Sequence, residues 1–440
     1  MLWLLCVVCC AAAEDKVMTV SELFDLVEAG NRSLQSQRSS LEAASRDVES
    51  AKSRRLPDIG AALSVSYNGN ILMTDRDFGN AVGFSSPHIG NSFSLQAQQT
   101  VYAGGAVDGG IRLAEVRRQQ AEEGLSLTRT QQRFMVLGMY LDLFKVDNSI
   151  EVYKKNIQLT ERLIEDIKEK LAQGMALKND VTRYELQMEN LRLGLRKMQD
   201  NRAVLNYQLC NALGIENETI VPDRTIVDKI TSEEESGDDS NRFAASDFQL
   251  GDWQRLAASS SPLLHRSELE IEAAKAQLKI AKSDYLPKVS LFAADNFNGP
   301  YTYDIPPIDN NFNVWYVGVG VSYSLSSLYK SNKNVRRAKA ALRLSEDNHA
   351  VAAESIDNNM QQAYTLYRQS YVELRAQRKS VQLAAQNYDV MNNRYLAQLA
   401  LVTDMIDASD TKLDAELKEV DARVNIIFAW YKMKYIAGDI

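Results

Sequence analysis

Proline placement decides where this chain can be helical at length. The eight prolines are Pro57, Pro87, Pro222, Pro262, Pro287, Pro300, Pro306 and Pro307, so residues 88–221 and 308–440 contain none. A proline in a helix interior costs about 3 kcal/mol, and both proline-free stretches carry a helical apolar period. Ile150, Tyr153, Ile157, Ile164, Ile167 and Leu171 follow one another at threes and fours across a single polar step, Thr160. Val181, Tyr184, Met188, Leu191, Leu195 and Met198 resume the pattern, and Met360, Tyr364, Tyr367, Tyr371 and Leu374 repeat it in the second stretch. These are coiled-coil seams. A segment such as 107–172, at about 1.5 Å of rise per residue, would reach on the order of 100 Å.

The two stretches are copies. A shift of 230 pairs Leu34 with Leu264, Glu42 with Glu272, Ala51-Lys52 with Ala281-Lys282 and Leu56-Pro57 with Leu286-Pro287. Further along the shift becomes 224, pairing Tyr140 with Tyr364, Asp180 with Asp404, Tyr207 with Tyr431 and Gly214 with Gly438. The chain is an internal duplication, and its first copy holds six extra residues between the Leu-Pro pair and Ala114.

Where the shift changes, the period changes from helical to alternating. Ile59, Ala61, Leu63, Val65 and Tyr67 oppose Gly60, Ser64, Ser66 and Asn68; Phe93, Leu95, Ala97 and Val101 oppose Ser92, Ser94, Gln96, Gln98 and Thr100. The second copy supplies "KVSLFAADNF" and "VWYVGVGVSYSL". Four strands with one apolar face and one of Ser, Gln, Thr and Gly suit a sheet between lipid and an aqueous lumen, an alternation that a small soluble sandwich also shows. Four are too few to close a barrel, and an open edge in lipid leaves backbone groups unpaired. Three copies would pool about twelve strands. Tyr301, Tyr303, Phe312, Trp315 and Tyr316 are placed for an interfacial aromatic girdle.

Composition excludes more than it assigns. A net charge of −8 without a Lys/Arg cluster argues against a nucleic-acid partner. The leader "MLWLLCVVCCAAAED" ends in Ala11-Ala12-Ala13, a small-residue pattern for cleavage before Glu14. It lacks a positive start, which points to a true beginning further upstream, and Cys9 or Cys10 leaves a lipid-anchored form open. Export leaves Cys210 alone, on a helical apolar face, where a buried inert thiol is expected. No run of about 18 apolar residues follows the leader. His88, His265 and His349 have no metal-ligand spacing, no phosphate-cradling Gly-Lys-Ser or Gly-Lys-Thr loop occurs, and "YAGGAVDGG" needs no role beyond a turn. An enzyme is not expected, nor are a cofactor or a bound metal.

The duplicated pattern resembles the TolC-like outer-membrane efflux proteins (outer membrane factors). The resemblance rests on "NRSLQSQRSSLEAASRDVESAKSRRLPDIGAALSVSY", on the second copy ending "AKSDYLPKVSLF", and on the paired segments "KLAQGMALKNDV" and "RYLAQLALVTDM". It implies a mainly α fold with membrane β: a long α-helical barrel continued by a trimeric 12-stranded β-barrel with four strands per chain. It further implies a homotrimer in outer-membrane lipid, serving efflux or type I secretion with a periplasmic membrane-fusion adaptor and an inner-membrane pump of RND or ABC type. The expected divisions are a signal peptide 1–13, first-repeat helix 14–58, first strand hairpin 59–103, first helical hairpin 104–215 with its tip near 172–180, and acidic linker 216–258. The second repeat follows as helix 259–287, strand hairpin 288–326, and helical hairpin 327–440 with its tip near 396–404.

Candidate functional residues lie at the tips. Gly174 supplies permissive backbone for a tight turn before Asp180. Asp404 and Asp407, three apart, project from one helical face, and three copies would gather them into a carboxylate ring. By resemblance this ring is the cation-sensitive constriction of the tunnel; crowded like charges raise pKa values and bind cations. The competing account is that first-turn acids only complement the helix dipole, as Asp180 is expected to do, while Asp410 is expected to be simply solvated. Gln398 stands where the first tip has Gly174, and Ala400 where the family often carries a basic lock residue. Asp180 and Tyr395 keep matching positions for a bond between hairpins. The rival function is a soluble periplasmic coiled-coil adaptor, which would carry one helical hairpin rather than two.

Overall fold

Helix caps mark several of the chain's turning points, and some of them recur between the repeats. The computed structural model describes residues 16–216, 218–225, 249–302, 304, 306–397 and 399–440. The leader with Cys6, Cys9 and Cys10, most of the acidic linker, Tyr303 and Gln398 lie outside the described residues. In chain order the elements begin β1 (Lys16–Met18), α1 (Val20–Gly30), α2 (Arg32–Ser53), β2 (Asp58–Tyr67), β3 (Ile71–Met73), β4 (Val82–Phe84), β5 (Ile89–Tyr102), α3 (Ala106–Ala172), α4 (Lys178–Leu213) and β6 (Ile220–Pro222). They continue as α5 (Leu250–Ser260), α6 (Pro262–Ser283), β7 (Lys288–Gly299), β8 (Phe312–Ser322), α7 (Ser327–Leu396) and α8 (Val402–Ala437). None of the described helices is long and apolar enough to cross a membrane.

The chain forms two compact units. The first is built from residues up to Ser39, Glu123–His265 and Ala350–Ile440. Here the single helix expected over 14–58 is two, because Asn31 interrupts it: its Oδ1 accepts from the N–H groups of Ser33 (2.9 Å) and Leu34 (3.2 Å), capping α2. The second repeat breaks at Ser261-Pro262, where Pro262 takes the first helical position, so α5 occupies part of the segment expected to be linker. Thr19 and Glu22 form a capping box at the start of α1. At α5, 230 residues on, the N–H of Gln249 donates to Asp252 Oδ2 at 2.9 Å.

The core of this unit repeats as well. Leu23, Val27 and Leu34 pack with Val136, Leu137, Tyr140, Leu209 and Leu213; Trp253, Ala257 and Leu264, at the matching positions, pack with Met360, Ala363, Met433 and Ala437. The short parallel pair β1–β6 has no signature in the sequence period. Tyr140 clamps it, its hydroxyl donating to Met18 O at 2.6 Å and accepting from the N–H of Asp223 at 2.8 Å. Burial pushes that phenol up to about 12. Cys210 is buried with its Sγ 3.4 Å from Glu218 O, and burial raises its pKa, which makes it an unreactive thiol.

The second unit, Ser40–Glu122 with Arg266–His349, carries an antiparallel sheet of order β2-β5-β7-β8. Its register aligns the alternation across strands: Leu63 lies opposite Phe93, Phe93 opposite Phe297, Ala97 opposite Ala293, and Ala293 opposite Val317. This apolar face is uncovered, with Leu63, Val317 and Val321 each at least 70% exposed. Two departures stand out. Tyr316 lies opposite Ala294, on the Ser/Gln face with Phe292 rather than beside Trp315, and Asp295 interrupts the apolar row between Leu95 and Trp315. The extra residues of the first copy form the β3–β4 pair, where the second copy has a single bridge between Tyr301 and Ile308.

Gly214 and Gly438 close α4 and α8 in the left-handed conformation (φ 70° and 78°). A Cβ on Gly214 would sit 2.2 Å from the carbonyl oxygen of Gly30, and one on Gly438 would sit 2.6 Å from that of Ser260. Both constraints admit glycine only. Gly214→Ala is therefore expected to destabilise the fold by about 1–3 kcal/mol, read as a lowered thermal midpoint; an unchanged midpoint would contradict the packing.

Candidate functional site at the helix tips

The two tips, drawn from opposite ends of the duplication, are built on the same hydrogen bonds. After α3, Gly174 takes φ 75°, its N–H donates to Leu171 O at 3.0 Å, and the N–H of Met175 donates to Lys170 O at 2.8 Å, closing the helix as a Schellman motif. After α7, the N–H of Leu399 donates to Arg394 O at 2.8 Å, the counterpart of the Met175 bond. Gln398, the counterpart of Gly174, lies outside the described residues.

The next helices also start alike. The N–H of Leu177 donates to Asp180 Oδ2 at 3.0 Å, and the N–H of Leu401 to Asp404 Oδ2 at 3.0 Å. Each carboxylate sits at the third helical position and satisfies a donor the helix cannot. Asp404 thus has a capping role while its side chain stays exposed at the start of α8. Asp407, one turn on, is exposed too, and among the described residues no hydrogen bond or ion pair engages its carboxylate.

Below the turns, one apolar cluster joins both tips: Ile167 of α3, Val181 and Tyr184 of α4, Tyr388 of α7, and Val402 and Met405 of α8. Tyr395 packs against it, with the Lys170 ammonium 4.9 Å above its ring. Burial first, then the nearby Asp180 and Asp166, raises the Tyr395 phenol pKa. Asp180 and Tyr395 therefore influence one another within a single chain. Tyr184 is 1% exposed and its hydroxyl has no hydrogen-bond partner among the described residues; burial, followed by Tyr395, Tyr388 and Asp180, raises its pKa strongly. Its place in the apolar seam was visible in the sequence, but no sequence signal marked its hydroxyl as unpaired.

Asp410 corrects an expectation. It is not simply solvated: Gln187 of α4 donates to its Oδ1, and its pKa is raised by desolvation and by Asp407, against the lowering effect of the Gln187 bond. The arrangement brings carboxylates and an apolar cluster together at the tips. Among the described residues no group of His, Cys, Asp and Glu could hold a metal. His88 sits in the loop before β5, His265 on α6, and His349 pairs with Ser267 at 2.7 Å.

The profile of a family described as "Outer membrane efflux protein" matches residues 23–215 and 253–438. The chain is 20% identical over 429 residues to the outer membrane protein TolC of Salmonella enteritidis, covering 95% of this chain and 82% of that protein. It is similar in structure to the outer membrane protein VceC of Vibrio cholerae (TM-score 0.74, 16% identity, 95% of this chain and 96% of that one). It is also similar to the open state of the MtrE outer membrane channel of Neisseria gonorrhoeae (TM-score 0.71, 12% identity, 95% and 88%).

The Asp410 environment makes a pH prediction. A raised folded-state pKa means that the folded chain holds the proton more tightly than the unfolded chain. Stability then falls as pH rises from the ordinary value of 3.8 through the raised one. Asp410→Asn keeps an acceptor for Gln187 and removes the charge. It should gain stability over wild type near about pH 7 and lose that gain near about pH 3; a pH-independent difference in melting would contradict it.

Proposed function

The chain belongs to the outer membrane efflux protein family, and from that premise we propose that it is the exit duct of a tripartite efflux or type I secretion system, gated at its helix tips. It is an outer-membrane protein. The observation carrying the proposal is the four-stranded sheet with an uncovered apolar face and two unpaired edges, β2 and β8. In lipid such edges must pair, and antiparallel joining of β8 to β2 of the next copy gives a closed barrel. Three copies supply about twelve strands, within the range of known barrels. A soluble adaptor has no use for an exposed apolar sheet between duplicated hairpins, and the family match runs against it.

Transport in this reading needs no chemistry from the chain. The pump supplies energy, a membrane-fusion adaptor docks the duct to an RND or ABC pump, and the duct supplies a passage whose narrow end is set by the tips. Asp404 and Asp407 from each copy line that end. A ring of carboxylates crowded around an axis raises the cost of full ionisation and lowers it again when a cation binds. Gly174, Asp180 and Tyr395 shape the turns around it, and Gln398 is the sequence counterpart of Gly174. With Ala400 in place of a basic residue, the closed tip leans on the shared cluster of Tyr184, Tyr388 and Met405 and on the Lys170–Tyr395 contact.

Asp407→Asn is the cleaner variant, because Asp404 also caps α8. In planar bilayers, Asp407→Asn should weaken block by divalent cations, and Asp404→Ala with Asp407→Ala should weaken it further, with assembly of the channel unchanged. Block that is unaltered in the double variant would remove the ring from the gate.

A further inference from the structure

The foot of the β7–β8 hairpin holds a cleft of about 430 Å³ whose lining includes Asp284, Lys288, Ser322, Ser324, Ser327 and Lys330. Lys288 and Lys330 make no ion pair among the described residues, so two cations face the one carboxylate of Asp284. Ser327 opens α7, where free backbone N–H groups add positive potential. Its side chain is 6% exposed, and its hydroxyl has no hydrogen-bond partner among the described residues. A buried hydroxyl without a partner and a surplus of cations call for an acidic group from elsewhere. The matching cleft of the first hairpin, lined by Arg55, Gln99 and Asp108 among others, satisfies itself, with Arg55 paired to Asp108 at 2.7 Å.

The sheet says where the acid comes from. Lys288 lies opposite Ser322 on the Ser/Gln face, and Ser322 ends β8, an edge strand with no neighbour on its outer side within the chain. The cleft therefore flanks the edge that has to find its partner in another subunit.

The duplication supplies the register of that seam. Asp58 lies opposite Gln98 and Lys288 opposite Ser322, so the shifts of 230 and 224 carry the first hairpin onto the second. Where the two hairpins of one chain meet, Thr100 lies opposite Ser290 and Tyr102 opposite Val289, and Lys288 comes next, past the end of β5. The same join between subunits sets Ser324 opposite Gly60 and brings Asp58 of the neighbouring subunit beside Ser326 and Ser327. Asp58 is exposed, shares the Ser/Gln face with Gln98, and among the described residues no hydrogen bond or ion pair engages its carboxylate. The residue after the Leu-Pro pair is thus a base where hairpins meet inside the chain and an acid where they meet between chains.

We propose that the cleft is a socket for a second copy of this chain: Asp58 of the neighbouring subunit enters it, pairs with Lys330 and Lys288, and accepts a hydrogen bond from the Ser327 hydroxyl. The proposal rests on the reading that the sheet closes through β8 and β2 of separate subunits. The socket does what strand pairing alone does not. A slip of two residues along the seam keeps every side chain on its own face, but it moves Asp58 by about 7 Å and leaves the cations unmatched.

The test compares full-length, detergent-purified variants by the temperature at which the oligomer dissociates. Lys330→Glu and Asp58→Lys each crowd like charges at the socket and should each lower that temperature by about 5 °C or more. The variant carrying both exchanges the charges and should recover most of the loss. Single variants as stable as wild type, or a double variant no more stable than the singles, overturn the socket. Should a single variant not assemble, assembly of the double variant supports the socket and its failure overturns it. Gly60→Cys with Ser324→Cys, oxidised in membranes, should link subunits covalently, and neither single cysteine variant should. Absence of that link in a protein that is still oligomeric overturns the seam on which the proposal rests, whereas the link without any effect of the charge variants overturns the socket alone.

Discussion

Unpaired backbone groups along β2 and β8 are the constraint from which the rest follows. Within one chain the sheet ends on both sides in open edges, and its apolar face has nothing to lie against. Water would tolerate the edges and penalise the face; lipid reverses the two costs. Edge pairing with further copies resolves both. Asp295 sits in the apolar row beside Leu95 and Trp315, with its Oδ1 buried and unpartnered among the described residues. It is the position at which this sheet departs most from lipid-facing chemistry.

Duplication explains why so much of the molecule is economical in its devices. The glycine at each long-hairpin end meets a backbone carbonyl from the first helix pair of its own repeat, Gly214 with Gly30 and Gly438 with Ser260. The carboxylate at the third position of α4 and α8 closes on the same backbone donor. Side chains in the core have drifted, with Leu23 answered by Trp253 and Val27 by Ala257, yet the positions still point inward. Backbone contacts of this kind tolerate no substitute, whereas apolar packing tolerates many of similar volume. The copies differ in the β3–β4 extension and in the clefts at the hairpin feet.

The long helices, the four principal strands and the tips were legible because each repeats a strong period over many residues. Ile59 to Tyr67 alternates but for Ala62, and Val181 and Tyr184 of the tip cluster keep helical spacing with Met188. The break at Asn31 was missed because an asparagine cap inside a continuing helical pattern does not disturb the period, though Asn31 and the Ser261-Pro262 pair carried the signal. β1 and β6, three residues each, are too short for any period, and a parallel pair separated by some 200 residues depends on Tyr140 and Asn206 rather than on local sequence. At the candidate site, Asp404 and Asp407 could be placed on one face from spacing alone. That Asp410 would find Gln187 on another helix could not, since such contacts are set by packing.

Asp404's cap and its proposed place in a carboxylate ring support each other. Crowded carboxylates repel, and a ring left to itself would take up protons until the repulsion eased. At the start of α8 each Asp404 carboxylate accepts the N–H of Leu401 and sits at the positive end of a 36-residue helix, where a negative group complements the helix dipole. The helix end offsets part of the repulsion that assembly imposes. Asp407 lies one turn further along, outside the capping bond, and Asp410 further still, where burial and Asp407 already raise its pKa. In the proposed ring, a cation arriving from the tip meets the capping Asp404 carboxylates first and the Asp407 carboxylates one turn later.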